Sequence, residues 1–94
     1  MKVHWTETAE SHLDAIYAYI AQDSKTYALR IIDNITQKSK QIADFPFSGR
    51  KVPEYELEQI REVFSVPYRI IYYIKPDQID VIAVIHGAMN SLTK

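Results

Sequence analysis

Apolar and polar positions change their spacing several times along the chain, and each spacing implies an element. Residues 2–6 alternate, with Val3 and Trp5 on one side and Lys2, His4 and Thr6 on the other, which predicts a short strand. Thr6 or Thr8 then stands at a helix N-cap, and Glu7 and Glu10 fall where the helix start favours negative charge. Leu13, Ile16, Tyr17 and Ile20 recur at helical spacing as one apolar stripe, leaving His4 and His12 on polar faces. The polar stretch Gln22-Asp23-Ser24 interrupts the pattern, and Ser24 can cap a second helix. Its stripe is Ala28, Ile31, Ile32, Ile35 and Ile42, with Ser39 on the same face. So short a connection makes the two helices antiparallel, a hairpin of some 38 residues over 7–44.

Periodicity then disappears. The stretch DFPFSGRKVPEYELEQ (residues 44–59) holds two prolines and a glycine and predicts a long loop, a feature of functional or mobile segments in small domains. Three strands follow at 60–66, 68–75 and 78–86, the first ended by Pro67 and the last two joined by a tight turn at Pro76-Asp77. In the second of these, Tyr68, Ile70, Tyr72 and Ile74 share one face, and Arg69, Ile71, Tyr73 and Lys75 the other. Strict alternation in the third sets Ile79, Val81, Ala83 and Ile85 against Asp80, Ile82, Val84 and His86. Both faces are apolar at their centres, and a helical hairpin covers only one. The other must be covered by something else or remain an apolar patch that invites a partner. The predicted architecture is α+β, β-α-α-β-β-β, with a helical hairpin packed on a small, mainly antiparallel sheet.

At 94 residues the chain predicts one domain, 1–94. A net charge of −1 argues against a dedicated nucleic-acid binder, whose affinity rests on a basic excess. With no cysteine, disulfides and Cys-based zinc sites are excluded, in keeping with a cytoplasmic protein. MKVHWTE turns polar at once and predicts no signal peptide, and no apolar run approaches the roughly 20 residues that span a bilayer. No His or acidic pair has metal-ligand spacing and no glycine-rich phosphate loop occurs, so no cofactor or metal is expected.

Several words remain: W-T-E-x-A at residues 5–9, F-P-x-S-G-R-x-V-P-E at 45–54, I-R-E at 60–62, Y-R-I-I-Y at 68–72 and I-H-G-A at 85–88. In this order, with these elements between them, the chain resembles the RelE/ParE superfamily of toxins from bacterial type II toxin–antitoxin modules. The resemblance implies a cytoplasmic protein without a cofactor that arrests growth when free. A co-expressed antitoxin would silence it by wrapping it with a segment that folds on binding. A dimer or a toxin–antitoxin hetero-oligomer is the implied assembly, with no membrane partner.

Within the superfamily, RelE-like members cut messenger RNA on the ribosome and ParE-like members poison DNA gyrase. The RelE-like set needs a pair of lysines in the first of the three strands, an arginine in the second, another arginine after the last strand and a tyrosine beyond it. Here Arg61 stands near the first lysine, Val63 near the other, Arg69 matches the second-strand arginine, and Met89 replaces the later one. A YoeB-like set of loop glutamate base, arginine and terminal histidine acid would be Glu54, Arg69 and His86, with His86 about one residue out of register. The ParE-like reading needs no acid–base residues and suits the long hairpin, although Met89 again stands where many ParE-like toxins carry arginine. Gyrase inhibition by binding is therefore the leading expectation. A ribosome-dependent endoribonuclease, or a domain that keeps only antitoxin binding, stands behind it. Candidate contacts to target or antitoxin are Arg50, Lys51, Arg61, Arg69, Tyr72, Tyr73 and Met89. For Arg69, an internal salt bridge to Glu62 or Asp80 competes with that role, because an unpaired charge in mid-strand is costly. His86 reads first as the end of a strand.

Overall fold

The computed structural model describes residues 1–87, so Met89 lies outside the described residues. Along the chain run β1 (Val3–Trp5), α1 (Glu7–Ala21), α2 (Lys25–Thr36), α3 (Lys38–Asp44), a 3-10 turn (Pro46–Ser48), β2 (Arg50–Lys51), β3 (Ile60–Ser65), β4 (Tyr68–Ile74) and β5 (Ile79–His86). The strands form one sheet in the order β1-β5-β4-β3-β2, and only β1 runs parallel to its neighbour. This is the predicted α+β arrangement, with one strand more. Of the two candidate caps for α1, Thr6 is used. Its hydroxyl accepts from the Ala9 N–H at 3.2 Å and donates to the Val81 carbonyl at 2.8 Å, fastening the helix start to β5. The Ser24 hydroxyl caps α2 through the Tyr27 N–H at 3.1 Å.

The second helix of the hairpin is not continuous. The Thr36 hydroxyl bonds back to the carbonyls of Ile32 and Asp33 (3.0 and 3.2 Å), and Gln37 separates α2 from α3. Such back-bonding competes with the helix ladder and bends it. The apolar stripe survives the break: Ile31, Ile35 and Ile42 are all buried against Ile70, Tyr72 and Val81 of the sheet. Trp5 donates its indole N–H to the Ser39 hydroxyl at 2.8 Å, so Ser39 does complete that face.

Two features depart from simple alternation. Ile71 pairs with Ala83 but Tyr72 pairs with Val81, so Ile82 is an extra residue, a bulge in β5. Beyond it the faces exchange. Val84 joins the helix-side core, whereas Ala83 and Ile85 join the opposite face. His12, read as a polar-face residue, is half-buried at this bulge and accepts the Val84 N–H on Nδ1 at 3.0 Å. On the far side of the sheet, the chain after β2 folds back over the strands. Val52 is fully buried there with Ile71 and Ala83, and Tyr55, Ile60 and Ile82 pack around them. The second face is thus covered by the irregular loop and is not left as an open patch. Among the described residues no helix is long and apolar enough to cross a membrane.

Candidate functional site

The loop over the second face is tied to the sheet by charge. Arg69, in the middle of β4, has a side chain only 6% exposed. Its Nη1 and Nη2 donate to the two carboxylate oxygens of Glu54 at 3.0 and 2.9 Å, and its Nε donates to Glu62 Oε1 at 2.7 Å. The second oxygen of Glu62 accepts from Arg50 Nε at 2.5 Å. Two cations and two anions alternate in one chain: Arg69 joins the loop to the sheet, and Arg50 joins β2 to β3. The forked contact to Glu54 is the geometry in which guanidinium and carboxylate match best. Hydrogen bonding from Arg69 holds the Glu54 carboxyl below its ordinary value, and Glu54 followed by Glu62 keeps the Arg69 guanidinium firmly protonated. Of the two partners weighed for Arg69, Glu62 is one. Asp80 instead accepts from Lys75 and Gln78, both at 2.7 Å, and Lys75 holds its carboxyl low.

The word F-P-x-S-G-R-x-V-P-E supplies this tether residue by residue. The Pro46 carbonyl accepts the Tyr72 hydroxyl at 2.6 Å. Gly49 is required by space: a Cβ there would lie 2.7 Å from the Glu62 carbonyl oxygen and closer still to the Tyr72 hydroxyl. Arg50 then reaches Glu62, Val52 fills the second core, and Glu54 reaches Arg69.

The candidate residues therefore divide. Tyr72 is completely buried with its hydroxyl bonded, so the contact role expected for it is unavailable to its side chain in this fold. Arg69 points into the protein. Arg61 is occupied as well: it donates to the carbonyls of Glu58 and Gly49 (2.8 and 3.1 Å) and to the Glu58 carboxylate (2.8 Å), and lies over the Phe47 ring. Arg50, Lys51 and Tyr73 remain exposed, with Lys51 paired to Glu58 at 3.5 Å. Glu54 and Arg69 meet, but His86 does not join them. It sits opposite Tyr68 at the end of β5, edge-on to that ring with centroids 5.7 Å apart, on the helix side of the sheet. There it borders an apolar groove with His12, Ile16, Tyr19, Tyr68 and Val84, a cavity of about 460 Å³.

Sequence reasoning missed a second exposed group. Phe45, Phe64 and Val66 line an open cleft of about 770 Å³ between α3 and the outer edge of β3. The only sequence signals were an apolar residue directly before Pro67, at the end of the strand predicted over 60–66, and aromatics flanking Pro46 in a stretch without a period. As chemistry, the Glu54–Arg69 pair is closed. A carboxylate held low is a weak base near neutral pH, and a guanidinium already shared by two carboxylates has little left for a phosphate.

Residues 3–91 match the family described as the ParE toxin of the type II toxin–antitoxin system parDE. The chain is 31% identical over 88 residues to Toxin RelE2 of Caulobacter vibrioides, an alignment covering 93% of this chain and 96% of that one. Its fold is shared with a solved structure described as the chromosomal ParDE system from P. aeruginosa (TM-score 0.74, 24% identity, 92% of this chain and 95% of that one). It is shared too with the toxin–antitoxin complex RelBE2 of Mycobacterium tuberculosis (TM-score 0.66, 19% identity, 90% and 95%). A YoeB/ParE toxin from Agrobacterium tumefaciens also superimposes, at TM-score 0.65, 14% identity and 92% and 98% coverage. A match over nearly the whole chain, on a fold common to these toxins, has one reading: the protein belongs to the ParE toxin family of type II toxin–antitoxin systems, within the RelE/ParE superfamily.

Proposed function

We propose that this toxin acts in the cytoplasm by binding DNA gyrase and not by cutting RNA, and that a cognate antitoxin neutralises it in a toxin–antitoxin hetero-oligomer. One observation carries the choice of mechanism. The residues a ribonuclease would need are not gathered: Glu54 and Arg69 are spent on each other, and His86 lies on the opposite face of the sheet. A general acid and base must reach the same scissile bond, and a strand's two faces do not. The parDE description of the matching family supports the gyrase reading, and the RelBE2 complex among the structural neighbours supports an antitoxin partner. Arg50, Lys51 and Tyr73 are the exposed residues we assign to contacts with target or antitoxin.

The runner-up is a ribosome-dependent endoribonuclease using Glu54, Arg69 and His86. Its specific support is the relationship to Toxin RelE2. Purified toxin assayed for inhibition of gyrase supercoiling, beside cleavage of ribosome-bound messenger RNA, separates the two. Inhibition of supercoiling that survives His86→Ala is the expected result. Cleavage that His86→Ala abolishes would replace it with the ribonuclease. Arg69→Ala is a poor probe, since it strands two carboxylates. If the folded protein does neither, only the antitoxin-binding reading stands.

A further inference from the structure

We infer that the groove between α3 and the outer edge of β3 holds a short segment of single-stranded DNA, with bases on Phe45 and Phe64 and phosphates on Lys38, Lys40 and Arg50. The groove is longer than the open cleft alone. A second hollow of about 320 Å³ continues it toward Gly49 and Arg50, and the two hollows share Lys38, Gln41 and Phe64 as walls. Charge along it is lopsided, although the whole chain carries only −1. Lys38 and Lys40 form no ion pair among the described residues. Arg50 gives only its Nε to Glu62 and keeps its side chain 59% exposed, so its terminal nitrogens stay available. Of the two carboxylates on the walls, Glu62 is spent on Arg50 and Arg69. Asp44 alone stands against the three cations.

Cations alone would suit any anion, and the aromatic rings narrow the choice. Phe45 is 66% exposed and Phe64 41%, with the Arg50 guanidinium 5.3 Å from the centre of the Phe64 ring. Rings kept in water beside unpaired cations make a single-strand binding surface, because every base offers a flat π-face and every step a phosphate. An acidic peptide matches the charge but gives the rings nothing flat to stack on. A duplex keeps its base faces inside and would meet the cations only. A free nucleotide fits less well. Every buried side-chain nitrogen and oxygen among the described residues already has a partner, so none is set aside to clasp a single base. The choice of DNA over RNA rests on the proposed gyrase target, whose substrate is DNA. So few phosphate contacts make an accessory grip and not a dedicated nucleic-acid binder, in keeping with the near-neutral chain.

The test is fluorescence anisotropy of a labelled deoxythymidine hexamer titrated with the protein at low salt. Saturable binding is expected, with log K falling against log salt at a slope of about −2 for three neutralised phosphates. Phe45→Ala should weaken binding by about tenfold, the effect of losing one stacked base, and Phe45→Tyr should restore it. Lys38→Ala with Lys40→Ala should weaken it by about tenfold or more and flatten the salt slope. Lys25→Ala, at the start of α2 and outside the groove, should leave it unchanged. None of these side chains belongs to the buried core, so a loss of binding is not a loss of fold. Four outcomes would overturn the inference: no binding at millimolar protein, binding indifferent to Phe45→Ala, displacement by hexaglutamate at equal charge, or tighter binding of thymidine monophosphate or of a uridine hexamer. The assay contains no gyrase. A toxin that binds the oligomer but leaves supercoiling intact refutes the gyrase reading alone, and one that inhibits supercoiling without binding the oligomer refutes this inference alone.

Discussion

The two faces of the sheet are closed by different means. On the helix side, Ile31, Ile35 and Ile42 pack on Ile70, Val81 and Val84, and the seal is apolar. On the loop side, among the described residues, only Val52, Ile71 and Ala83 form a buried apolar cluster, beside the alternating chain Glu54–Arg69–Glu62–Arg50. Regular helices present a stripe, so apolar burial is the main seal, with the Thr6–Val81, Trp5–Ser39 and His12–Val84 hydrogen bonds beside it. An irregular segment has no stripe, and here it is fixed by forked hydrogen bonds to buried charge. The first kind of seal is indifferent to proton concentration. The second depends on which groups are ionised.

The largest expected effect is on the loop side. Glu62→Ala removes a fully buried carboxylate and leaves Arg69 with half its partners, which should cost about 3–5 kcal/mol in urea unfolding. Glu62→Met combined with Arg69→Met and Glu54→Met should recover much of that loss. A cost below about 1 kcal/mol for the single change would mean that apolar contacts hold both faces.

Ile70→Ala, fully buried on the helix side, should cost about 2–5 kcal/mol through lost burial and a cavity. It should lower the stability curve evenly across pH. Glu54→Gln should instead change its shape. Arg69 holds Glu54 below its ordinary value of 4.5, so the unfolded chain binds the extra proton. The stability this adds is complete above that value and is lost as pH falls through the lower folded value. Glu54→Gln should therefore flatten part of the acid limb of a denaturation series, leaving the part due to Asp80, which Lys75 holds low in the same sense. An unchanged acid limb would remove Glu54 from the account.

His12 allows a smaller and sharper test. His12→Leu leaves the Val84 N–H without its acceptor, at about 1–3 kcal/mol. In His12→Asn the side-chain oxygen can take the place of Nδ1, so most of that loss should be recovered. Hydrogen exchange at Val84 reports the bond directly, and equal exchange in the two variants would contradict the assignment. The smallest effect should come from Lys51→Ala, whose surface pair with Glu58 is worth about 0–1 kcal/mol.

Much of the helix side is legible along the chain. Thr6 and Ser24 are caps by residue type and position, and the stripe through Ile31, Ile35 and Ile42 needs no tertiary information. Ser39 could be placed on its face by counting. The bulge at Ile82 could not. Val81 to Ile85 is apolar throughout, so nothing in residue type marks where the alternation slips, and Val84 and His86 take the face predicted for Ala83 and Ile85. Tyr72 illustrates a related ambiguity. Its face was read correctly, but a tyrosine serves a core as well as a surface, and only the Pro46 carbonyl above its hydroxyl decides.

The candidate site followed the same division. Glu54 and Arg69 were recognisable as residues able to act together, and their words in the chain are local. Whether they act outward on a phosphate or inward on each other depends on Glu62, seven residues before Arg69 in sequence and diagonally across from it in the β3–β4 pair. Sequence alone determined the elements, their order and the family words, because spacing and capping are local physics. Tertiary structure alone decided which face each charge occupies, which arginines are free and which segment seals the second face. Those outcomes are set by strand register and by the cost of burying an unpaired charge, and both depend on residues far apart along the chain.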